Sequence, residues 1–333
     1  MIRKETSAIS EISGSRTILM GIFMLIIMLF HNSYGILGMA GKITGIYGHW
    51  GVDVFLFLSG FGLYHSLSRS KQTPLFHFYV KRAIRIIPAA VMVGSILYLL
   101  QKASFLGCFG LNLWYIRTLL ILYLLTPVFY YLLRRYSPLL ILAAVLISIS
   151  IALLLLIPMM KDCAFSSMKV TLLWTLARMP AFVIGMFFYR VDWSTKKWMN
   201  PIFLFLLLPV LYCVLYFHRL RAIEGALSNN LHLLPYIALA IIIPSALVIF
   251  CTLILRHIPI FFKQIFNFIG TISLELYLVH EAIFSTISGL PYSGILKFTM
   301  AYTFSLIAAV AIHYIFSKIN LIPSNGKKAT SLN

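Results

Sequence analysis

Long apolar runs recur from one end of the chain to the other, each of about 17 to 25 residues and so able to cross a hydrocarbon core of roughly 30 Å. They predict ten membrane-spanning helices, over residues 17–36, 51–67, 86–104, 111–133, 139–158, 171–189, 201–217, 231–255, 265–287 and 296–316. The polar stretches between them are too short for a soluble domain. The expected fold is therefore all-α, a bundle of about ten transmembrane helices in an integral membrane protein. Its parts are an N-terminal segment (1–16), a transmembrane domain (17–316) and a polar tail (317–333).

Composition agrees with the pattern: 61% of the residues are hydrophobic and 11% charged, against about 25% charged in soluble domains. The net charge of +19 changes the picture only through its distribution. Arg3, Lys4 and Arg16, then Arg69 to Arg85, Arg134 and Arg135, Arg190 to Lys197, Arg256 and Lys263, and finally Lys318 to Lys328 fall in alternate loops. The positive-inside rule puts those loops, and both termini, in the cytoplasm. A charge excess set by topology is not a nucleic-acid patch, so no nucleic-acid partner is expected. The first run is longer than the 7 to 15 residue core of a signal peptide and reads as a retained span. Cys108, Cys163, Cys213 and Cys251 have no paired spacing, which gives no redox or metal motif.

Ionisable groups inside these runs change the picture most, because each costs at least about 2.5 to 3.5 kcal/mol near the bilayer centre and is functional by default. They are His31 in the first span, Asp53 in the second, Arg117 in the fourth, Arg178 in the sixth, and Glu275, His280 and Glu281 in the ninth. All but Glu275 fall in the outer half on this topology, as a polar cavity opening outward requires. Ser273, Tyr277, His280 and Glu281 share one helical face, as do His49 and Asp53. Each also has a structural reading, a satisfied histidine or an ion pair between Asp53 and Arg178 or Arg117. No metal is assigned to them. On the cytoplasmic side Lys81, Arg82 and Arg85 group on one surface. That surface suits either phosphate, which arginine forks match, or anionic lipid headgroups.

Taken in order, the motifs resemble the acyltransferase 3 family of multi-pass membrane acyltransferases, many of which O-acylate glycans. "MGIFMLIIMLFH" is similar to the family's opening helix ending in histidine, and "GVDVFLFLSGF" to its Gly, Val, Asp, aromatic, Ser-Gly-Phe signature. "KRAIRIIP" resembles its Arg-x-x-Arg motif on Arg82 and Arg85. "LWYIRTLLILYLLTP", "RMPAFVIG" and "IGTISLELYLVH" resemble its fourth, sixth and ninth helices. One position departs: where the family often has arginine eleven residues before the first-helix histidine, this chain has Met20, and Arg16 lies one turn earlier.

The resemblance implies a cytoplasmic acyl-coenzyme A (acyl-CoA) as donor substrate, with no permanently bound cofactor, its phosphates held by Arg82, Arg85 and Arg16. It implies transfer of a small acyl group, acetyl by family frequency, to a hydroxyl of a cell-envelope or exported glycan or glycolipid. The enzyme would lie among lipids in a cell membrane, the cytoplasmic membrane of a bacterium. His31 would be the general base, with an imidazole's capacity to take a proton near neutrality. Asp53 would orient it, as the acid of a triad does. Arg117, Arg178, Tyr277 and His280 would contact substrate, with His280 lining the acceptor cavity or sharing the base role. No nucleophile elbow is present, since Ser59 lies in "LSGFG" rather than Gly-x-Ser-x-Gly, so direct transfer is expected. A proton-coupled transporter is the main alternative from buried charges alone, and a glycan or lipid flippase a second.

Overall fold

The computed structural model describes residues 7–31, 48–69, 75–100, 114–137, 140–141, 144–145, 147, 168–190 and 233–318. Among these every extended element is a helix. They are α1 (Ser7–Phe30), α2 (Trp50–Arg69), α3 (Leu75–Leu99), α4 (Trp114–Arg135), α5 (Met168–Arg190), α6 (Leu233–Leu255), α7 (Ile260–Thr271), α8 (Ser273–Ser288) and α9 (Gly294–Lys318). Among the described residues four helices are long and apolar enough to cross a membrane, or five if α7 and α8 form one broken span. The expected span at 201–217, most of the one at 139–158, and Cys108, Cys163 and Cys213 lie outside the described residues.

Three boundaries differ from the sequence pattern. The first helix begins at Ser7 rather than residue 17, inside the expected N-terminal segment, since a helix can continue past the apolar run that crosses the hydrocarbon. The third helix begins at Leu75 rather than residue 86, because an apolar run reports hydrocarbon thickness and not helix length. Lys81, Arg82 and Arg85 are good helix formers, and they continue α3 beyond the run. The expected continuous span at 265–287 is interrupted at Ile272, where α8 restarts after a residue at φ −99° and ψ 12°. Gly270, Thr271 and the β-branched Ile272 are poor helix residues. Glu275 falls in the first turn of α8, where a negative charge suits the helix dipole.

The described contacts divide the chain into two compact units. The first comprises residues 1–23, 49–72 and 117–270. Its centre is α2, buried at every position from Trp50 to Phe61, as a helix apolar all round should be. α2, α5 and α6 pack on one another. Gly60 and Gly185 make the α2–α5 contact possible: a Cβ on Gly60 would land on the carbonyl oxygen of Phe182, and one on Gly185 on that of Phe57. Small residues are what let membrane helices approach this closely. The Thr118 and Thr175 hydroxyls, 3.0 Å apart, join α4 to α5. Gly270 and Gly21 bring α7 against the first half of α1 in the same way, with Thr17 O and Phe266 O where Cβ atoms would be. Gly60→Ala and Gly185→Ala should each cost more than the usual 1 to 3 kcal/mol or so of overpacking, because the obstacle is backbone. Loss of monodisperse protein on size exclusion after mild heating in detergent checks this. Gly14→Ala, which meets nothing within 4 Å, serves as the control.

The second unit comprises residues 24–48, 73–116 and 271–333. α8 is its centre and packs on α9 and α3. α9 presents Ala301, Ser305, Ala309, Ile312 and Phe316 as its buried stripe, at the i, i+4 and i+3 spacing of one helix face. Phe304, Ile307, Val310, Tyr314 and Ile315 of α9 are exposed, which suits a surface that meets lipid.

Candidate active site

His31 stands immediately after the last turn of α1, its backbone N–H donating to Ile27 O at 3.2 Å. Its imidazole meets the ring of His280, with centroids 5.1 Å apart and planes at 69°. Phe30 supports the other side of the ring, edge-on at 4.9 Å. His280 lies two turns into α8 and is 1% exposed. Its Nδ1 faces two carbonyl oxygens one turn back, Tyr277 O at 2.8 Å and Leu276 O at 3.2 Å. Its Nε2 is buried without a hydrogen-bond partner among the described residues. Tyr277 packs beside His280 at 5.5 Å and against Tyr115, at the start of α4, at 4.7 Å. Phe284 closes the same face, 6.0 Å from His280. Two histidines thus share an aromatic surround within one unit, and the spacing of Tyr277 and His280 on one helix face is what the sequence predicts.

A second polar cluster in this unit surrounds Glu275, which is completely buried. Arg85 donates from one Nη to Glu275 Oε1 at 2.8 Å and from the other to Thr271 O at 3.4 Å. His313 of α9 reaches the same carboxylate oxygen through Nδ1 at 3.1 Å. Arg85 thereby links α3 to the first turn of α8. Arg82, three residues earlier, has its guanidinium over the Phe78 ring at 5.6 Å. The two arginines grouped by the sequence thus have different surroundings. His313 and Tyr115 were not among the residues singled out from sequence. His313 lies inside the last apolar run and meets the same intramembrane criterion as His280, so the signal was present. Tyr115 carries no such signal.

In the first unit Asp53 and Arg178 are both buried and bonded, Nη1 to Oδ1 at 2.5 Å. Trp174, one turn before Arg178, faces its guanidinium at 5.2 Å. The structure therefore places Asp53 on Arg178, across the α2–α5 contact. Arg117 is buried on α4. His49 precedes α2, its ring tilted against that of Trp50 with centroids 4.8 Å apart. Arg16 donates from Nε to Leu58 O at 3.1 Å and lies over Gly62, whose absent Cβ would be 2.6 Å from the guanidinium carbon. At that place Arg16 joins α1 to α2. Among the described residues no three His, Cys, Asp or Glu side chains converge as a metal site.

These features define a class, an all-helical protein of membrane-spanning helices with a histidine pair, His280 of which is buried, a buried Asp53–Arg178 pair and a buried Glu275 met by the partly exposed Arg85. The family model for the acyltransferase 3 domain, described as an acyltransferase domain, matches residues 18–318, and the chain belongs to that family. No curated protein and no solved structure gives a match.

Proposed function

We propose that the protein transfers an acyl group, acetyl in the first instance, from cytoplasmic acyl-CoA to a hydroxyl of a cell-envelope or exported glycan, in the cytoplasmic membrane of a bacterium. The observation that carries this reading is the meeting of His31 and His280 in a chain whose family is acyltransferase. Transfer needs a base within reach of the hydroxyl, and positioned imidazoles do this most often. His31 takes the hydroxyl proton as the oxygen attacks the thioester carbon. The carbon–sulfur bond breaks, and the thiolate takes that proton from the imidazolium and leaves as CoA thiol. Tyr277, Tyr115 and Phe284 pack as an aromatic cluster on the His280 side, which in this reading limits the access of bulk water to the acyl group.

Arg82 is the residue we assign to the donor's phosphates, with Arg85 contributing its exposed edge. Arg85 also supports the fold through Glu275, so the two should separate experimentally. Arg82→Ala is expected to raise the KM for acyl-CoA about tenfold, since one charge-assisted hydrogen bond is worth about 1.5 to 3 kcal/mol, with a smaller fall in melting temperature than Arg85→Ala gives. Arg85→Ala is expected to lower the melting temperature more, because it leaves the buried Glu275 carboxylate short of a cation. Kinetics on purified protein and a thermal-shift series check both.

The test of the reading itself is incubation of membranes containing the protein with radiolabelled acetyl-CoA. Label is expected in the envelope glycan as an alkali-labile ester, together with release of free CoA thiol. A transporter or flippase would move its cargo without consuming acetyl-CoA, and label confined to unreacted donor would exclude the acyltransferase reading.

A further inference from the structure

The two carbonyl oxygens facing His280 Nδ1 can only accept hydrogen bonds. Nδ1 must therefore carry the proton that is shared with Tyr277 O at 2.8 Å. The hydrogen bond made by one ring nitrogen sets the state of the other, so Nε2 of the neutral ring is left with a lone pair. That atom is buried and has no hydrogen-bond partner among the described residues. A buried acceptor left unsatisfied costs about 1 to 3 kcal/mol, which asks for a donor at this place. His31, whose ring meets that of His280 edge to face at 5.1 Å, has an N–H to give.

We propose that His280 is a positioning residue for His31: a rotation of the His31 ring, whose centroid is 5.1 Å away, brings its N–H onto the unpartnered Nε2 and turns the other His31 nitrogen, with its lone pair, toward the acceptor hydroxyl. The chain of donors runs from His31 through His280 to the Tyr277 carbonyl, and each link fixes the tautomer of the next. His280 thus does for His31 what the buried carboxylate of a hydrolase triad does for its histidine. Asp53 is engaged by Arg178 through Oδ1, and here the orienting task belongs to an imidazole instead. The groups facing the pair are Tyr277 and Glu281 on α8, Phe30 beside His31 and Tyr115 on α4, which reaches it through Tyr277. Glu281, the residue after His280, is exposed, so it cannot substitute for a buried acceptor. Polar groups inside a membrane protein are costly, and a tautomer-fixing role explains why α8 carries an imidazole at a place that is otherwise apolar.

The proposal rests on the acyltransferase reading only for its kinetic consequence. The direct test is ¹⁵N solid-state spectroscopy of histidine-labelled protein in lipid, with His280 assigned by its loss in His280→Gln. The expected result is a proton on Nδ1 of His280 and a hydrogen-bonded, unprotonated Nε2; a proton on Nε2 would overturn the proposal whatever the protein catalyses. The kinetic test compares His280→Asn, which keeps a donor near Nδ1 and removes the acceptor, with His280→Gln, whose amide oxygen reaches toward Nε2. Transfer by the Asn variant should fall about 10²-fold in kcat with KM unchanged, and the Gln variant should recover about tenfold of it. Equal activity in wild type and Asn variant, or equal loss in Asn and Gln variants that melt like wild type, would overturn the proposal while leaving the acyltransferase reading in place. Absence of transfer by the wild type would remove that reading and the kinetic claim together, and the spectrum would still decide the tautomer.

Discussion

His31→Ala is expected to reduce acyl transfer by about 10² to 10⁴, the range that a positioned general base contributes, while leaving the protein folded and its donor affinity intact. The reasoning is local. His31 stands just past the end of α1, only partly buried, with one face on Phe30 and another on His280, so its removal deletes contacts at a helix terminus and not in a helix interior. Binding and chemistry should therefore separate, with kcat falling and KM for the donor holding. A positioned imidazole cannot be replaced by an amide that hydrogen-bonds but takes no proton, so His31→Gln should be nearly as slow as His31→Ala. Steady-state kinetics on detergent-purified variants at matched melting temperature checks both. A rise in KM with kcat unchanged would instead make His31 a binding group.

The second large effect concerns stability. Asp53 and Arg178 form an ion pair with essentially no exposure on either side, and removing one partner strands the other as an uncompensated buried charge. Such losses run to about 3 to 5 kcal/mol, so Asp53→Ala and Arg178→Ala should each fail to give heat-stable protein. The double substitution Asp53→Leu with Arg178→Met is expected to be more stable than either single variant, because an apolar replacement of both partners avoids the stranded charge. Thermal melts of the three variants in one detergent check the order. If the double variant is as unstable as the singles, Trp174, which faces the Arg178 guanidinium at 5.2 Å, carries more of the site than the ion pair does. Should the double variant instead be stable yet inactive, the pair would have a part in substrate binding beyond joining α2 to α5.

The sequence disclosed these features unevenly, for physical reasons. Apolar length and periodicity are local, so the positions of α2, α4, α5, α6 and α9 follow within a few residues from runs of the expected size. The shared face of Tyr277 and His280 is equally local, set by helical spacing alone. Pairings across the chain are different. Arg85 and Glu275 are 190 residues apart, and nothing in either segment names the other. The spacing of Lys81, Arg82 and Arg85 groups them as one cationic surface, whereas the structure gives Arg85 to a buried carboxylate. The extension of α3 back to Leu75 decides this, since it puts Arg85 well inside a helix that packs on α8. The break at Ile272 was partly legible in Gly270-Thr271-Ile272-Ser273, but an apolar run reads through such a break because hydropathy does not register backbone direction. Asp53 was legible as a buried group needing a partner, and Arg178 was named among its candidates. Which candidate it took is a fact of packing, fixed by the glycines that let α2 and α5 meet.

The most direct measurement is a side-by-side count of free CoA thiol and glycan-bound acetyl ester, made with purified wild-type and His31→Ala protein reconstituted in lipid with acetyl-CoA and envelope glycan. The account predicts one ester formed for each thiol released by the wild type, and loss of both products together in the variant. Equal ester formation by the two proteins would contradict the account by removing His31 from the chemistry.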